Sequence, residues 1–293
     1  MIERLLELND EARNILSSLG AYVELDRDEF YVFSDVHGYV NAALTAKKLV
    51  EKGSRVLMLG DYTTRPKACI KPGEDSVRAL VELYDLLVRF PDRLVLLRGN
   101  HEDVTMHFSS ASLLLRDIFV HLGKGEVDAK ELIRIEEELV RTMREMPLVA
   151  LSERGIFMHG GLPVVDLPRD FLSVLKKPED VCKKPFYEIV RNAPSTSGET
   201  EVNGGIKFSC LGDPMVSHLF GNDVVEETLK IYGRSFVLVG HVHPPSGFRR
   251  YRKLRNVYSV CSSYASCSVK SPKIARIKGS RVEGIKLERS PLR

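Results

Sequence analysis

Apolar positions recur along this chain at two spacings, and their alternation predicts its architecture. Residues 2–19 place Ile2, Leu5, Leu6, Ala12, Ile15, Leu16 and Leu19 on one helical face, an amino-terminal helix docked on the body. FYVFSD (Phe30 to Asp35) is a short apolar run ended by a turn around His37 and Gly38, and reads as a buried strand. Asn41 to Gly53 reads as a helix closed by glycine, Arg55 to Asp61 (RVLMLGD) as a second strand, Asp75 to Phe90 as an amphipathic helix, and Arg93 to Asn100 (RLVLLRGN) as a third strand. Strand and helix alternate through this stretch, which implies βαβ units and a parallel sheet.

Further on, residues 107–146 carry a mostly helical pattern with Asp128 as N-cap of its clearest part. VALSERGIFMHGG reads as a hairpin running into His159, and Asp223 to Tyr232 as a short helix. SFVLVGHVH is a buried strand ending on histidines. NVYSVCSSYAS and KIARIKGSRVEGIKLE alternate in strand fashion and predict a second sheet packed on the first. Residues 176–209 show no clear periodicity and read as a long loop, a feature often tied to function.

Composition narrows this picture. The 293 residues are 43% hydrophobic, enough to bury a large core and within the size of one large α/β domain, here taken as residues 1–293 with an amino-terminal helix (1–19) and a helical insertion (about 107–146). The net charge of +3 does not by itself call for nucleic acid or a membrane. The densest basic run, RRYRKLR (Arg249 to Arg255), is read as a solvated strand or hairpin in preference to a nucleic-acid contact. Five cysteines (Cys69, Cys182, Cys210, Cys261 and Cys267), an odd count without CxxC, fit free thiols in a reducing, cytoplasmic setting. No apolar run approaches the ~18 residues of a membrane-spanning helix.

The chemistry lies in five short strings after hydrophobic runs: SDVHG (Ser34 to Gly38), GDYTTR (Gly60 to Arg65), RGNHE (Arg98 to Glu102), MHGG (Met158 to Gly161) and GHVH (Gly240 to His243). Three of them end the first three predicted strands, where open α/β sheets place their ligands. Asp35 and His37, two apart on an extended end, would point the same way and grip one ion. Asp61 at the next strand end could bridge two ions. Asn100 offers a carbonyl oxygen, and His101 beside it would point elsewhere and serve as an acid. His159 precedes two glycines that permit close backbone approach. His241 and His243 would share a strand-like face. Singly, each is more often a turn, cap or core residue; jointly, they supply ligands for two divalent metals sharing one carboxylate. The mixed nitrogen and oxygen set suits Mn, Fe, Zn or Co better than Ca. A thiol phosphatase is excluded because no C-x5-R loop is present.

The order D-x-H, GD, GNH[DE], H-G and GHxH resembles the calcineurin-like metallophosphoesterase superfamily. Within it, GDYTTR, LLRGNHE and MHGGL resemble the phosphoprotein phosphatase (Ser/Thr protein phosphatase) family, over roughly residues 30–270. The resemblance implies an α/β fold of four layers, an αββα sandwich of two mixed sheets flanked by helices, with a binuclear metal site at strand ends. It implies that Asp35, His37 and Asp61 hold one metal, and that Asp61, Asn100, His159 and His241 hold the other. A water shared by the ions would be the nucleophile, Arg65 would grip phosphate oxygens, His101 would protonate the leaving oxygen, and Tyr264 would line the cleft. His243, from the GHxH string of the wider superfamily, would join the first metal.

Two departures stand out. Thr64 replaces the family's Asp that orients the acid histidine, and LGDPMVSHLFGND lacks the family's second phosphate-gripping arginine. The activity implied is a metal-dependent phosphomonoesterase acting on phosphoserine, phosphothreonine or a small phosphoester. A phosphodiesterase, nucleotide (dinucleoside polyphosphate) hydrolase or nuclease on the same site is the alternative, and a non-enzymatic interaction module is third. No membrane partner is expected, and nucleic acid is the weaker choice of partner.

Overall fold

The structure, a computed structural model, describes residues 1–26, 29–63, 74–102, 113–123, 128–177, 185–210, 213–264 and 268–287. Its amino-terminal half follows the predicted alternation. Helix α1 (Ile2–Ser17) precedes strands β1 (Tyr22–Glu24) and β2 (Glu29–Phe33). Then come α2 (Val40–Glu51), β3 (Val56–Met58), α3 (Ser76–Arg89) and β4 (Leu94–Leu96). Asp75 caps α3 by accepting the Arg78 backbone N–H. In the predicted helical insertion, α4 (Leu113–Leu122) and α5 (Ala129–Arg144) are described, and Asp128 caps α5 through the Lys130 N–H.

The second half adds the hairpin β5 (Val149–Leu151) and β6 (Gly155–Met158), antiparallel as the pattern implied. The segment read as a long loop is more structured than that. It holds the short helix α6 (Tyr187–Arg191), β7 (Ala193–Pro194) and β8 (Lys207–Cys210). Strands β9 (Asp213–Val216) and β10 (Leu219–Phe220), helix α7 (Asn222–Tyr232) and β11 (Phe236–Val239) follow. The chain ends with β12 (Phe248–Arg250), β13 (Val257–Val260), β14 (Lys273–Lys278) and β15 (Arg281–Lys286).

Two principal sheets form, ordered β15-β14-β2-β3-β4 and β1-β5-β6-β11-β13-β12. The pairs β2–β3 and β3–β4 are parallel, and β14 lies antiparallel to β2. The last hairpin therefore returns to the first sheet, whereas β13 joins the second.

Both faces of the central strands are covered, which is why they read as unbroken apolar runs rather than alternating ones. Val32, Leu57, Phe157, Leu238 and Ile277 pack between the sheets. Phe33, Met58 and Leu96 face α1, α3 and α5, and Val237 and Val239 pack toward α6 and α7 on the far side. The result is the four-layer arrangement of helices, two sheets and helices. In the basic run, Arg249 and Arg250 lie on β12, paired antiparallel with β13, while Tyr251 is buried. Among the described residues no helix is long and apolar enough to cross a membrane.

Candidate metal centre

The two sheets bring their carboxyl-terminal strand ends to one edge of the sandwich. Asp35 follows β2, Asp61 follows β3, Asn100 and His101 follow β4, His159 follows β6, and His241 and His243 follow β11. Backbone hydrogen bonds tie these ends together: Asp35 N–H donates to Gly60 C=O, His37 N–H to Asp61 C=O, and Gly240 N–H to His159 C=O.

The geometry by which Asp35 and His37 converge is not the extended one expected. Asp35, His37, Asp61 and His241 have φ of 54°, 45°, 59° and 57°, and they are four of the six non-glycine residues with positive φ among the described residues. Each such residue costs about 1–3 kcal/mol, and such strain concentrates at functional sites. Period-two reasoning fails for GHVH as well. His243 turns to Asp35, with Nε2 2.9 Å from Oδ1, whereas His241 joins Asp61 and His159.

The donor atoms fall into two groups around Asp61. On one side, His37 Nε2 lies 3.5 Å from Asp61 Oδ2 and 3.7 Å from Asp35 Oδ1, and His101 Nε2 lies 3.9 Å from Asp61 Oδ2. On the other, His159 Nε2 lies 3.3 Å from Asp61 Oδ1 and 3.0 Å from Asn100 Oδ1. Asp61, His159 and His241 form one possible metal-holding group, His37, Asp61 and His101 a second, and Asp35, His243 and Cys261 a third.

Two ligand atoms sharing a transition-metal ion are roughly 3–3.5 Å apart, close to these separations. The tautomer of His37 strengthens the fit. Its Nδ1 lies 2.9 Å from the Thr63 carbonyl and must donate to it, which turns the Nε2 lone pair toward the two carboxylates. A lone pair facing carboxylate oxygens is repulsive unless a cation lies between them. The residues present thus fit divalent metal.

Electrostatics agree. Burial opposes ionisation of Asp35 and Asp61, yet the surrounding histidines hold both carboxyls well below the usual range. Burial pulls the His159 imidazole down, but the Asp61 carboxylate, with Asp35 and Glu102 behind it, pushes it up to about 9. His241 is held down at about 3, chiefly by burial and then by the charge of His159.

Arg65 and Thr64 lie outside the described residues, as do Cys69, Cys182 and Cys267. His101 does not point away from the centre: its ring meets that of His37 edge-on at 4.9 Å. Tyr264 is partly buried and meets Tyr39 edge-on at 5.6 Å, one residue from the Gly38 turn.

Sequence reasoning gave no role to Glu102, yet its carboxylate accepts the backbone N–H groups of Asp61 (2.7 Å), Tyr62 (2.7 Å) and Gly99 (2.9 Å). Burial and the Asp61 charge push Glu102 up to about 7, against the pull of these donors. The signal was an acid three residues beyond a strand-end glycine. Cys261, dismissed as a nucleophile, instead lies beside Asp35 and His243, and the Ser263 hydroxyl donates to the Asp35 carbonyl.

A strand-end centre of carboxylate, amide and imidazole donors between two sheets defines the class. The chain belongs to the calcineurin-like phosphoesterase family, whose model matches residues 29–245; the family is metal-dependent. A Caenorhabditis elegans protein bearing the name of a serine/threonine-protein phosphatase is 26% identical over 221 residues, 73% of this chain and 54% of that protein. The chain therefore spans about half the length of this curated relative.

Among solved structures, a serine/threonine phosphatase from Saccharomyces cerevisiae superposes with a TM-score of 0.71 at 18% identity, covering 100% of this chain and 91% of that one. A cold-active protein-tyrosine phosphatase from Shewanella superposes at 0.54 with 14% identity, covering 94% and 84%. At these identities the likeness is one of fold.

Proposed function

We propose that the chain is a phosphoric ester hydrolase, a phosphomonoesterase of the Ser/Thr protein phosphatase type that works on two divalent ions. The observation that carries this reading is the division of Asp61: one oxygen faces His37 and His101, the other faces His159. Asp35, His37, Asp61 and His243 would hold one ion, and Asp61, Asn100, His159 and His241 the other. When bound, such ions polarise phosphoryl oxygens and acidify water at neutral pH.

The chain's own groups do the rest. Arg65 neutralises and orients the phosphoryl group, and a guanidinium fork can take two of its oxygens. His101 stands within reach of the centre and donates a proton to the departing oxygen. Asn100 orients substrate as well as metal, and Tyr264 borders the cleft. The ions are Mn, Fe, Zn or Co, for which mixed imidazole and carboxylate donors are suited. Residues 1–293 form one domain in this reading, and the setting is cytoplasmic, from the odd cysteine count.

The placement of His243 on Asp35 supports a second reading, a phosphodiesterase or nucleotide hydrolase, because GHxH belongs to the wider superfamily. A substrate panel separates the two. Protein reconstituted separately with Mn, Zn, Fe and Co is given phosphoserine and phosphothreonine peptides, a small monoester and a diester. The first reading expects faster monoester turnover and a fall of at least about 100-fold in Asp61→Asn. A strong diester preference defeats that reading, and full activity in Asp61→Asn defeats the metal mechanism.

A further inference from the structure

The segment that lacks the expected second arginine, residues 211–223, leaves the phosphate one cation short. We propose that Arg191, at the end of α6, supplies it and binds the substrate phosphoryl group beside the metal centre. This rests on the phosphoesterase reading.

Three observations converge on Arg191. The end of α6 is seated on the two glycines that follow His159. Gly160 N–H and Gly161 N–H both donate to the Ile189 carbonyl, at 2.8 and 3.2 Å. A Cβ on Gly160 would lie only 2.3 Å from Val190 C and 2.4 Å from Arg191 N, so the Arg191 backbone abuts the residue next to a candidate ligand. Next, Arg191 is only 6% exposed, and its guanidinium stacks over the Phe208 ring at 4.2 Å. Stacking engages the face of the guanidinium, and its hydrogen bonding runs through the edge, the geometry that receives an oxyanion. Finally, its charge helps hold down the His241 imidazole, after burial and His159, so it acts within electrostatic reach of the centre.

The platform is rigid. The Glu188 carboxylate, one turn earlier on α6, accepts the backbone N–H groups of Val164, Val165, Asp166 and Leu167 at 3.0, 2.9, 2.9 and 3.2 Å. Asn192 donates to the Leu162 carbonyl at 3.0 Å and accepts the His218 N–H at 2.9 Å. A cation held this firmly pre-organises an anion site, as a flexible surface lysine would not.

The test uses the full chain loaded with Mn, with inorganic phosphate as probe in calorimetry. Arg191→Met is expected to weaken phosphate binding about 10- to 100-fold, the size of a charge-assisted pair, with metal content and melting temperature kept. Arg191→Lys, which keeps the charge but not the fork, is expected to fall in between, and it supplies the test if the methionine variant does not fold. Phosphate binding within about twofold of wild type in both variants overturns the inference, as does a metal-loaded wild type that binds no phosphate. A wild type that binds phosphate, loses that binding in Arg191→Met and turns over no ester upholds Arg191 as an anion site while defeating the hydrolase reading.

Discussion

Glu188→Gln isolates one buried carboxylate on which a functional platform depends. Glu188 is fully buried, and its oxygens divide four backbone donors evenly: Oε1 takes Val164 and Val165, Oε2 takes Asp166 and Leu167. An amide has the same shape but only one acceptor oxygen. Whichever way it turns, two N–H groups lose their acceptor and face an N–H instead. These donors are partly buried, so each loss costs about 1 kcal/mol, the low end of the range for an unsatisfied group. The other two bonds change from charge-assisted to neutral and lose roughly half their strength, about 0.5–1 kcal/mol each.

The sum is about 3–4 kcal/mol, less whatever is regained by removing a buried charge, hence about 2–4 kcal/mol. At about 2–4 °C per kcal/mol for a larger domain, the melting temperature should fall by roughly 5–12 °C. Thermal unfolding followed by circular dichroism, in chelator and again with Mn, measures it. Because Arg191 lies three residues on, phosphate affinity should fall with stability. A variant that melts within a degree or two of wild type would show that the 164–167 loop does not depend on this carboxylate, and the argument for a rigid α6 would fail.

Two further predictions concern the metal centre's surroundings. Gly160→Ala should destabilise by about 1–3 kcal/mol or more, since its Cβ would meet the α6 backbone at 2.3–2.4 Å and no side-chain rotation relieves that; an unchanged melting curve would refute the close approach. His159 in the metal-free protein carries a proton up to about pH 9, so an entering ion must displace it. Metal affinity should then rise with pH by up to about tenfold per unit below pH 9 and level off above. Calorimetry near pH 7.5 in buffers of different ionisation enthalpy should detect the released proton, and identical heats in all buffers would count against it. Because the folded pKa lies above the ordinary 6.5, this imidazole stabilises the metal-free fold fully below pH 6.5, and that contribution fades as pH rises through about 9.

How much of this was legible in the chain depends on where each residue draws its constraint. Ligand identities at strand ends could be read because a donor set admits few residue types and because βαβ alternation places strand ends together. Their backbone geometry was not, since periodicity assumes extended chain and cannot see a left-handed turn. Residue type held a clue: Asp and His are among the few side chains enriched at positive φ, and the four strained ligand candidates are two Asp and two His. The partner of the last hairpin was hidden for another reason. An alternating strand states which face is apolar, not which neighbour it will join, and β14 crosses back to β2.

Helix α6 lies at the limit of sequence reading. Five residues are too few to show a period or to hold a helix alone, so tertiary contacts must fix it. Those contacts are supplied by the same residues that give it a use: Glu188 gathers the loop that follows His159, and Gly160 and Gly161 admit the Ile189 carbonyl. The arginine absent from residues 211–223 is therefore not evidence of a decayed anion site. A buried guanidinium reaches the centre from a different element, through contacts that join residues 160–167 to 188–192. A search for the missing residue at its usual place in the sequence would pass over it, whereas the three-dimensional neighbourhood of His159 and His241 does not.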